Sequence, residues 1–82
     1  MMSAAARRDR RGASAALRPP GDDAHVQGFH KLQWVEGRTT VAITVEWLPH
    51  SHVWLYDDRK TTMTAVAAGL RGWTYVGRVE AP

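Results

Sequence analysis

Apolar residues alternate strictly with small or polar residues over positions 40–47, the pattern of a β-strand with one buried face. The apolar set is Val41, Ile43, Val45 and Trp47. The intervening set is Thr40, Ala42, Thr44 and Glu46. We therefore expect one face of this strand to enter the core and the other face to stay open.

A second apolar series just upstream predicts the partner of this strand. Gly37-Arg38 places glycine at the first position of a two-residue turn, as in type II′ hairpins. This turn sets the following core-facing residues opposite one another: Trp34 and Val41, Leu32 and Ile43, His30 and Val45. Because the pattern and the turn agree, the sequence predicts a β-hairpin over residues 28–48.

Three further elements are predicted after the hairpin. Residues 52–56 form a third strand after a turn at Pro49-His50. Between residues 58 and 71 the apolar side chains have helical spacing and form one stripe: Met63, Val66, Ala67 and Leu70. Gly72 suits the left-handed residue that ends a helix, and residues 73–79 alternate again as a last strand.

The element order β-β-β-α-β predicts an α+β fold, a small mixed sheet with one helix packed on one face. The crossover through the helix makes the last strand parallel to the third if both belong to one sheet. An all-β barrel with residues 61–66 as a strand is the alternative, because three threonines and Gly69 are poor helix formers.

The direction of Trp54 depends on the length of the second turn. A two-residue turn at Pro49-His50 places Trp54 and Tyr56 inside. A three-residue turn that includes Ser51 places both on the open face, because a slip of one residue turns every side chain of a strand over. Both alternatives are open from the sequence. The outward one assembles a partner-binding surface from Phe29, Lys31, Gln33, Trp54 and Tyr56.

The sequence changes character at Pro19-Pro20-Gly21. The part before this break has few large apolar side chains to bury. Its five arginines are balanced by only one acidic residue, Asp9. These candidate nucleic-acid contacts are Arg7, Arg8, Arg10, Arg11 and Arg18. From residue 26 onward six basic and five acidic side chains nearly cancel. We predict a disordered basic Arg/Ala tail over residues 1–25 and a small α+β domain over residues 26–82, and we expect deletion of residues 1–20 to leave the fold intact.

Size and composition limit the function. The 82 residues include no cysteine, which excludes disulfides and thiolate zinc sites. A domain over 26–82 buries only about 60 % of the surface of its unfolded chain, and self-association or a partner commonly completes such a core. No apolar run spans a bilayer and no secretory signal is evident. We expect a cytoplasmic protein without a membrane partner, of a kind that a bacterium or a phage could encode.

Few residues are candidates for chemistry. The four histidines, whose spacing matches no metal motif, are His25, His30, His50 and His52. Asp57 and Asp58 are adjacent carboxylates, but Asp directly before a helix is typical of an N-cap. Ser51 lacks the flanking glycines of a nucleophile elbow. We therefore predict no enzyme activity, no metal and no cofactor.

Two functions of different classes fit these features. The first is a non-enzymatic protein-binding module, a regulator, inhibitor or assembly factor that docks on a larger protein or complex, because Trp and Tyr are enriched at contact hot spots. The alternative is a small nucleic-acid-binding protein that uses the arginine tail on phosphates and an aromatic sheet face on bases. We favour the first, and a complex that handles nucleic acid would engage the tail as well.

Overall fold

The computed structural model describes residues 16–80, which form a five-stranded sheet with one short α-helix on one face. In chain order the elements are a 3₁₀ turn (Gly21–His25), β1 (Gly28–Glu36), β2 (Thr39–Leu48), β3 (Val53–Leu55), β4 (Thr62–Thr64), α1 (Ala65–Leu70) and β5 (Thr74–Val79). The strands lie in the order β4-β3-β2-β1-β5. The predicted α+β class with a single helix is confirmed.

All pairings between these strands are antiparallel, which corrects the prediction of a mixed sheet. The difference arises at residues 62–64, which form β4 along β3 where a helix was predicted. This extra strand reverses the chain before α1, so that β5 reaches the far edge of the sheet and pairs with β1. The all-β alternative placed a strand in this region, but the sheet stays open, with β4 and β5 at its edges.

The β1–β2 hairpin has the predicted register. Gly37 occupies the first turn position with a φ of 62°, the left-handed conformation that favours glycine. The predicted pairs are present from Trp34–Val41 at the turn to His30–Val45 further along. Alternate residues of both strands therefore point into the core, and the residues between them point to the opposite face.

Helix α1 is shorter than predicted and begins only at Ala65. Its N-cap is Thr64, whose Oγ1 accepts the N–H of Ala67 at 3.0 Å. The predicted cap by Asp57 or Asp58 is therefore wrong, because the chain forms β4 between these residues and the helix.

The helix rests on the sheet through alanines instead of the predicted apolar stripe. Ala65 and Ala68 are buried, whereas Val66 is exposed and Leu70 keeps 71 % of its surface accessible. Small side chains allow the helix backbone to approach the sheet closely. Because the alanines face the sheet, the larger residues of the helix face solvent. Met63, the first residue of the predicted stripe, is buried in β4.

The predicted stop signal at Gly72 is confirmed. Gly72 has a φ of 89°, and its N–H donates to the carbonyl of Gly69 at 3.1 Å. The N–H of Trp73 donates to the carbonyl of Ala68 at 3.1 Å, which completes a Schellman motif. This reversal folds Trp73 back onto Trp34, with 5.9 Å between the ring centroids.

Trp54 lies inside the core, so the outward alternative for the third strand is wrong. The loop over residues 49–52 has an even number of residues, and Trp54 pairs with Trp47. His52 closes the loop with a φ of 56°, a conformation that histidine adopts more readily than most non-glycine residues. Its N–H donates to the carbonyl of Leu48 at 2.9 Å. The inward alternative is therefore right about the face, although its two-residue turn is wrong.

The hydrophobic core lies between one face of the sheet and a cover made of α1 and residues 16–25, here called the N-terminal segment. Its buried members are Leu32, Val45, Trp47, Trp54, Met63, Ala65 and Ala68. The two buried indoles of Trp47 and Trp54 lie tilted against each other at the centre, with 4.7 Å between their ring centroids and an interplanar angle of 52°. Both indoles need a hydrogen-bond acceptor in this apolar setting.

The N-terminal segment supplies these acceptors. The Nε1–H of Trp47 donates to the carbonyl of Ala24 at 2.9 Å, and that of Trp54 donates to the carbonyl of Leu17 at 3.0 Å. Pro19 is buried beside them. The predicted tail over 1–25 is therefore wrong for residues 16–25, which belong to the domain. The prediction for residues 1–15 lies outside the described residues, and so do Arg7, Arg8, Arg10 and Arg11.

Candidate functional site

The sheet face opposite α1, here called the open face, carries a row of side chains that crosses all five strands. From β4 to β5 the strand pairings align Thr62, Leu55, Glu46, Phe29 and Val79. The three apolar members of this row are only partly buried. Because α1 and the N-terminal segment both pack on the other face, these side chains remain accessible to a partner.

Glu46 lies at the centre of the row and is nearly closed to solvent, with 6 % of its surface exposed. Its Oε2 accepts a hydrogen bond from Gln27, and its Oε1 accepts one from the Arg59 guanidinium, which is also an ion pair. The bond from Gln27 and the charge and bond of Arg59 lower the pKa of Glu46, against the opposing effect of burial. The carboxylate is therefore held ionised by two donors that the protein itself provides.

The loop between β3 and β4 is fixed by its own hydrogen bonds. The N–H of Tyr56 donates to the carbonyl of Thr61 at 2.9 Å. Asp58 accepts the hydroxyl of Thr61 at 2.6 Å and the N–H groups of Lys60 and Thr61, each at 2.8 Å. These bonds lower the pKa of the Asp58 carboxyl. Asp58 thus stabilises a turn, a common structural role of aspartate. This turn lies at a different place from the predicted helix cap.

This loop holds Arg59 in the position from which it reaches Glu46. Arg59 has a φ of 62°, a strained conformation for a long side chain. Its N–H donates to the carbonyl of Tyr56 at 3.0 Å. The strain is therefore maintained by the loop, and it directs the guanidinium to the buried carboxylate.

Around Glu46 the open face forms a depression of about 550 Å³, here called the open-face pocket. Its apolar lining includes Phe29, Ala42, Leu55, Tyr56 and Val79. Its charged lining consists of Glu46, Asp57, Glu80 and Arg59. The pocket combines an apolar floor with a rim on which acidic groups outnumber basic ones, and it has the size of an ordinary ligand or anchor-residue site.

The structure brings together only part of the predicted partner-binding surface. Phe29, Lys31 and Gln33 lie on the open face, at alternate positions of β1. Trp54 has 0 % exposure and cannot contact a partner, which corrects its assignment. Tyr56 donates its hydroxyl to Met63 Sδ at 3.7 Å and also lines the open-face pocket. That these residues bind a partner stays a prediction.

Sequence reasoning missed the centre of the site. Glu46 was visible as the one charged residue of its set in the alternating strand, and this was a usable signal. The face on which Leu55 lies depends on the length of the loop before β3, which the sequence left open. Val79 and Arg59 reach the site through the β1–β5 pairing and a left-handed turn residue, neither of which has a local sequence signature.

A second polar group is buried on the core side of the sheet. His30 has 1 % exposure, and a hydrogen bond of 2.9 Å joins its Nδ1 to the hydroxyl of Tyr75. The ring lies edge-on to Trp54, with 5.7 Å between the centroids. Burial lowers the pKa of His30, the negative charge of Asp23 raises it by a smaller amount, and the positive charge of Arg78 lowers it further. His30 is closed to solvent, and its bond to the partly buried Tyr75 makes it a satisfied polar group in the core.

We expect the free energy of unfolding to decrease in two steps as the pH falls. The pKa of His30 is lower in the folded state than its ordinary value of 6.5. The contribution of neutral His30 to the free energy of unfolding is therefore fully present above pH 6.5 and is lost as the pH falls through the folded-state pKa. The pKa of Glu46 is also lowered, so its stabilising effect is complete above 4.5 and is lost at more acidic pH. Urea titrations at a series of pH values measure both steps.

The variant His30→Gln tests the first step. It should remove the loss of stability just below pH 6.5 whatever its effect on absolute stability, because the neutral amide does not titrate. His50→Gln, at an exposed histidine, should keep the wild-type profile. An unaltered step in His30→Gln would contradict this assignment.

The other histidines lie apart from His30. His25, His50 and His52 line a shallow pocket together with Arg18. Within residues 16–80, no group of three or more His, Asp or Glu side chains is arranged to hold a metal ion. Ser51, between His50 and His52, is an exposed loop residue.

No protein-family profile, curated protein or solved structure matches this chain. Over residues 16–80 no helix has both the length and the apolar character needed to cross a membrane.

Proposed function

We propose that this chain is a non-enzymatic, cytoplasmic protein-binding module that docks on a larger protein or complex through its open-face pocket. The observation that carries the proposal is the apolar row formed by Leu55, Phe29 and Val79 on the sheet face that α1 leaves uncovered. Apolar side chains grouped in a concave surface with a polar rim are typical of contact sites.

The chemistry of the pocket favours a partner segment with an apolar side chain beside a lysine or arginine. The floor accepts the apolar group. Asp57 and Glu80 are exposed on the rim and unlike Glu46 are not closed off from a partner cation. Opposite charges on the two surfaces favour association and suppress wrong partners.

A second copy of the chain is a less suitable occupant of the same pocket. In a two-fold contact each surface patch faces its own copy. Asp57 and Glu80 would then face like charges across the contact, which costs free energy. The acidic rim therefore supports a partner of different sequence over self-association through this face.

The state of the carboxylates supports a binding role over a catalytic one. General acid–base catalysis needs a group whose pKa lies near the operating pH. The pKa of Glu46 is lowered by Gln27 and Arg59, and that of Asp58 is lowered by Thr61. Both groups are thereby weakened as proton acceptors.

A peptide selection tests the proposal. Random peptides displayed on phage and selected on the immobilised full chain should be enriched in sequences with an aromatic or aliphatic residue beside Lys or Arg. Leu55→Asp should weaken a selected peptide at least about tenfold, equivalent to about 1.4 kcal/mol, because it places a charge on the pocket floor. Isothermal titration calorimetry measures the affinity, and thermal melts verify that the variant is folded.

Leu70→Asp is the matched control, since it makes the same substitution at an exposed leucine on α1. It should leave peptide affinity unchanged. Enrichment of acidic peptides, or equal affinity for Leu55→Asp and the wild type, would count against the open-face pocket as the docking site.

The nucleic-acid alternative receives less support. Its predicted stacking surface required Trp54 on the open face, and Trp54 is in the core. Its electrostatic part rests on Arg18, which is exposed, and on four arginines outside the described residues, and it stays a prediction. Those residues are Arg7, Arg8, Arg10 and Arg11.

A further inference from the structure

Two segments meet where β2 turns into β3 and line a second pocket, here called the histidine pocket. The N-terminal segment contributes Arg18 and, at the end of its 3₁₀ turn, His25. The loop over residues 49–52 contributes His50 and His52. The pocket has a volume of about 530 Å³, and none of the described residues that line it is acidic.

Ala24 and Pro49 complete the lining of the histidine pocket. Its four polar side chains all donate hydrogen bonds, and protonation adds a second donor to each imidazole. A guanidinium offers five N–H groups in a planar fork, and a protonated imidazole offers two. Three histidines also suit a metal, but the described residues contain no group arranged to hold one. A tetrahedral anion rich in acceptor oxygens is the ligand class that this set of donors matches.

The pocket is preorganised by backbone contacts. His52 is held in its left-handed conformation from both sides, since its N–H donates to Leu48 and its carbonyl accepts the N–H of Ala65 at 3.0 Å. Its ring lies edge-on to Trp47, with 6.0 Å between the centroids. A non-glycine residue maintained in this conformation is typical of positions that serve a site.

Arg18 is anchored in the same way. It lies between Leu17 and the buried Pro19. The N–H of Leu17 donates to the carbonyl of Ala65 at 2.9 Å, and the carbonyl of Leu17 accepts the Trp54 indole. The backbone that carries Arg18 is therefore part of the packed domain.

We propose that the histidine pocket binds a phosphate group of a nucleic-acid backbone. A polymer is favoured over a small anion because Arg18 and all three histidines are exposed around a shallow depression, so a strand can pass across it. Four further arginines precede Arg18 in the sequence, the last of them Arg11. This proposal uses a different surface from the open-face pocket and does not depend on it.

Binding at this pocket is coupled to pH. Imidazole side chains gain positive charge as the pH falls from about 8 to about 6, while Arg18 is charged throughout. The carboxylates on the elements that form the pocket are Asp22 and Asp23, and Asp23 is already paired with Arg78 at 2.8 Å. Each additional phosphate contact steepens the dependence of log affinity on log salt by about 0.9 on duplex DNA.

Fluorescence anisotropy with the full chain and a labelled DNA duplex tests the proposal. Between about pH 8 and about pH 6 we expect affinity at low salt to rise at least about tenfold and the salt slope to steepen by about two. The triple variant His25→Gln, His50→Gln, His52→Asn should lose this pH effect, with a salt slope that no longer changes between the two pH values. Asparagine is used at position 52 because it tolerates the left-handed conformation.

Two controls separate the pocket from the rest of the chain. Replacing Arg7, Arg8, Arg10 and Arg11 by Gln should lower affinity at both pH values and leave the pH-linked increase in place. Leu70→Gln, an uncharged change at an exposed leucine on α1, should change neither the affinity nor its pH dependence. Thermal melts at both pH values ensure that each variant is folded, since protonation of buried His30 also affects stability.

Several results would overturn the proposal. A pH-linked increase that survives in the triple variant would place the titrating groups elsewhere. The absence of any change in salt slope with pH would exclude phosphate contacts by these histidines. Saturable binding of inorganic phosphate without DNA binding would make the pocket a small-anion site, and stoichiometric binding of Zn²⁺ that requires the three histidines would make it a metal site.

Discussion

Trp54→Ala is expected to leave the chain unfolded at room temperature. Trp54 has 0 % exposure, packs against Trp47 and His30, and donates to the carbonyl of Leu17. Truncation of a buried Trp to Ala costs about 3–5 kcal/mol, and the carbonyl left without its donor adds about 1 kcal/mol. A domain of this size rarely has more than about 3–5 kcal/mol of stability in total. Urea titration followed by circular dichroism measures the loss.

Trp73→Ala provides the comparison, because Trp73 is only partly buried and makes its ring contact at the helix end with Trp34. Trp73→Ala should lower the free energy of unfolding clearly less than Trp54→Ala and leave a cooperative unfolding transition. Equal costs for the two variants, or a stable Trp54→Ala variant, would contradict the inward placement of Trp54.

Removal of residues 1–25 is expected to destabilise the domain by at least about 3 kcal/mol, since it removes the acceptors of two buried indoles and exposes apolar core surface. This expectation replaces the one drawn from the sequence, in which deletion of residues 1–20 leaves the fold intact. Leu17 and Pro19 lie within that deletion, and both are packed against the domain. Thermal and urea unfolding of the truncated chains measure the effect.

Removal of residues 1–15 is the matched control, because it retains each contact of the N-terminal segment described above. This shorter deletion should keep the unfolding midpoint of the full chain. A domain lacking residues 1–25 that unfolds at the same urea concentration would show that the two indole bonds contribute nothing measurable to stability.

The elements that were predicted correctly are those determined by local sequence. The hairpin register follows from strict alternation on both sides of a glycine turn, and the helix stop follows from Gly72, which can adopt a positive φ. Both signals lie within a few residues of the structure they specify. No tertiary contact was needed to interpret either of them.

The elements that were predicted wrongly depend on long-range packing. Residues 62–64 form β4 because β3 offers a free edge, although their threonines gave only a weak preference. Helix α1 buries Ala65 and Ala68 and exposes Val66 and Leu70, so the hydrophobic spacing predicted the wrong buried face. The N-terminal segment is bound through its backbone carbonyls, which every residue possesses and which leave no mark in the sequence.

The candidate site shows the same division. The presence of Phe29, Lys31 and Gln33 on one face follows from the period of a strand. The centre of the open-face pocket requires Glu46, Arg59 and residues from four strands to meet, and this depends on loop lengths and sheet order. The histidine pocket joins residues 18, 25, 50 and 52, which only the packed N-terminal segment brings together.

The position of β1 has a consequence for how the polypeptide is made. This strand gains its first neighbour within a few residues, through the hairpin, but its second neighbour is β5, which joins Phe29 to Val79. A ribosome must therefore release nearly the whole domain before the outer edge of β1 is covered. Until then the nascent chain presents an unpaired strand edge to the cell, which is a template for aggregation and a natural target for chaperones.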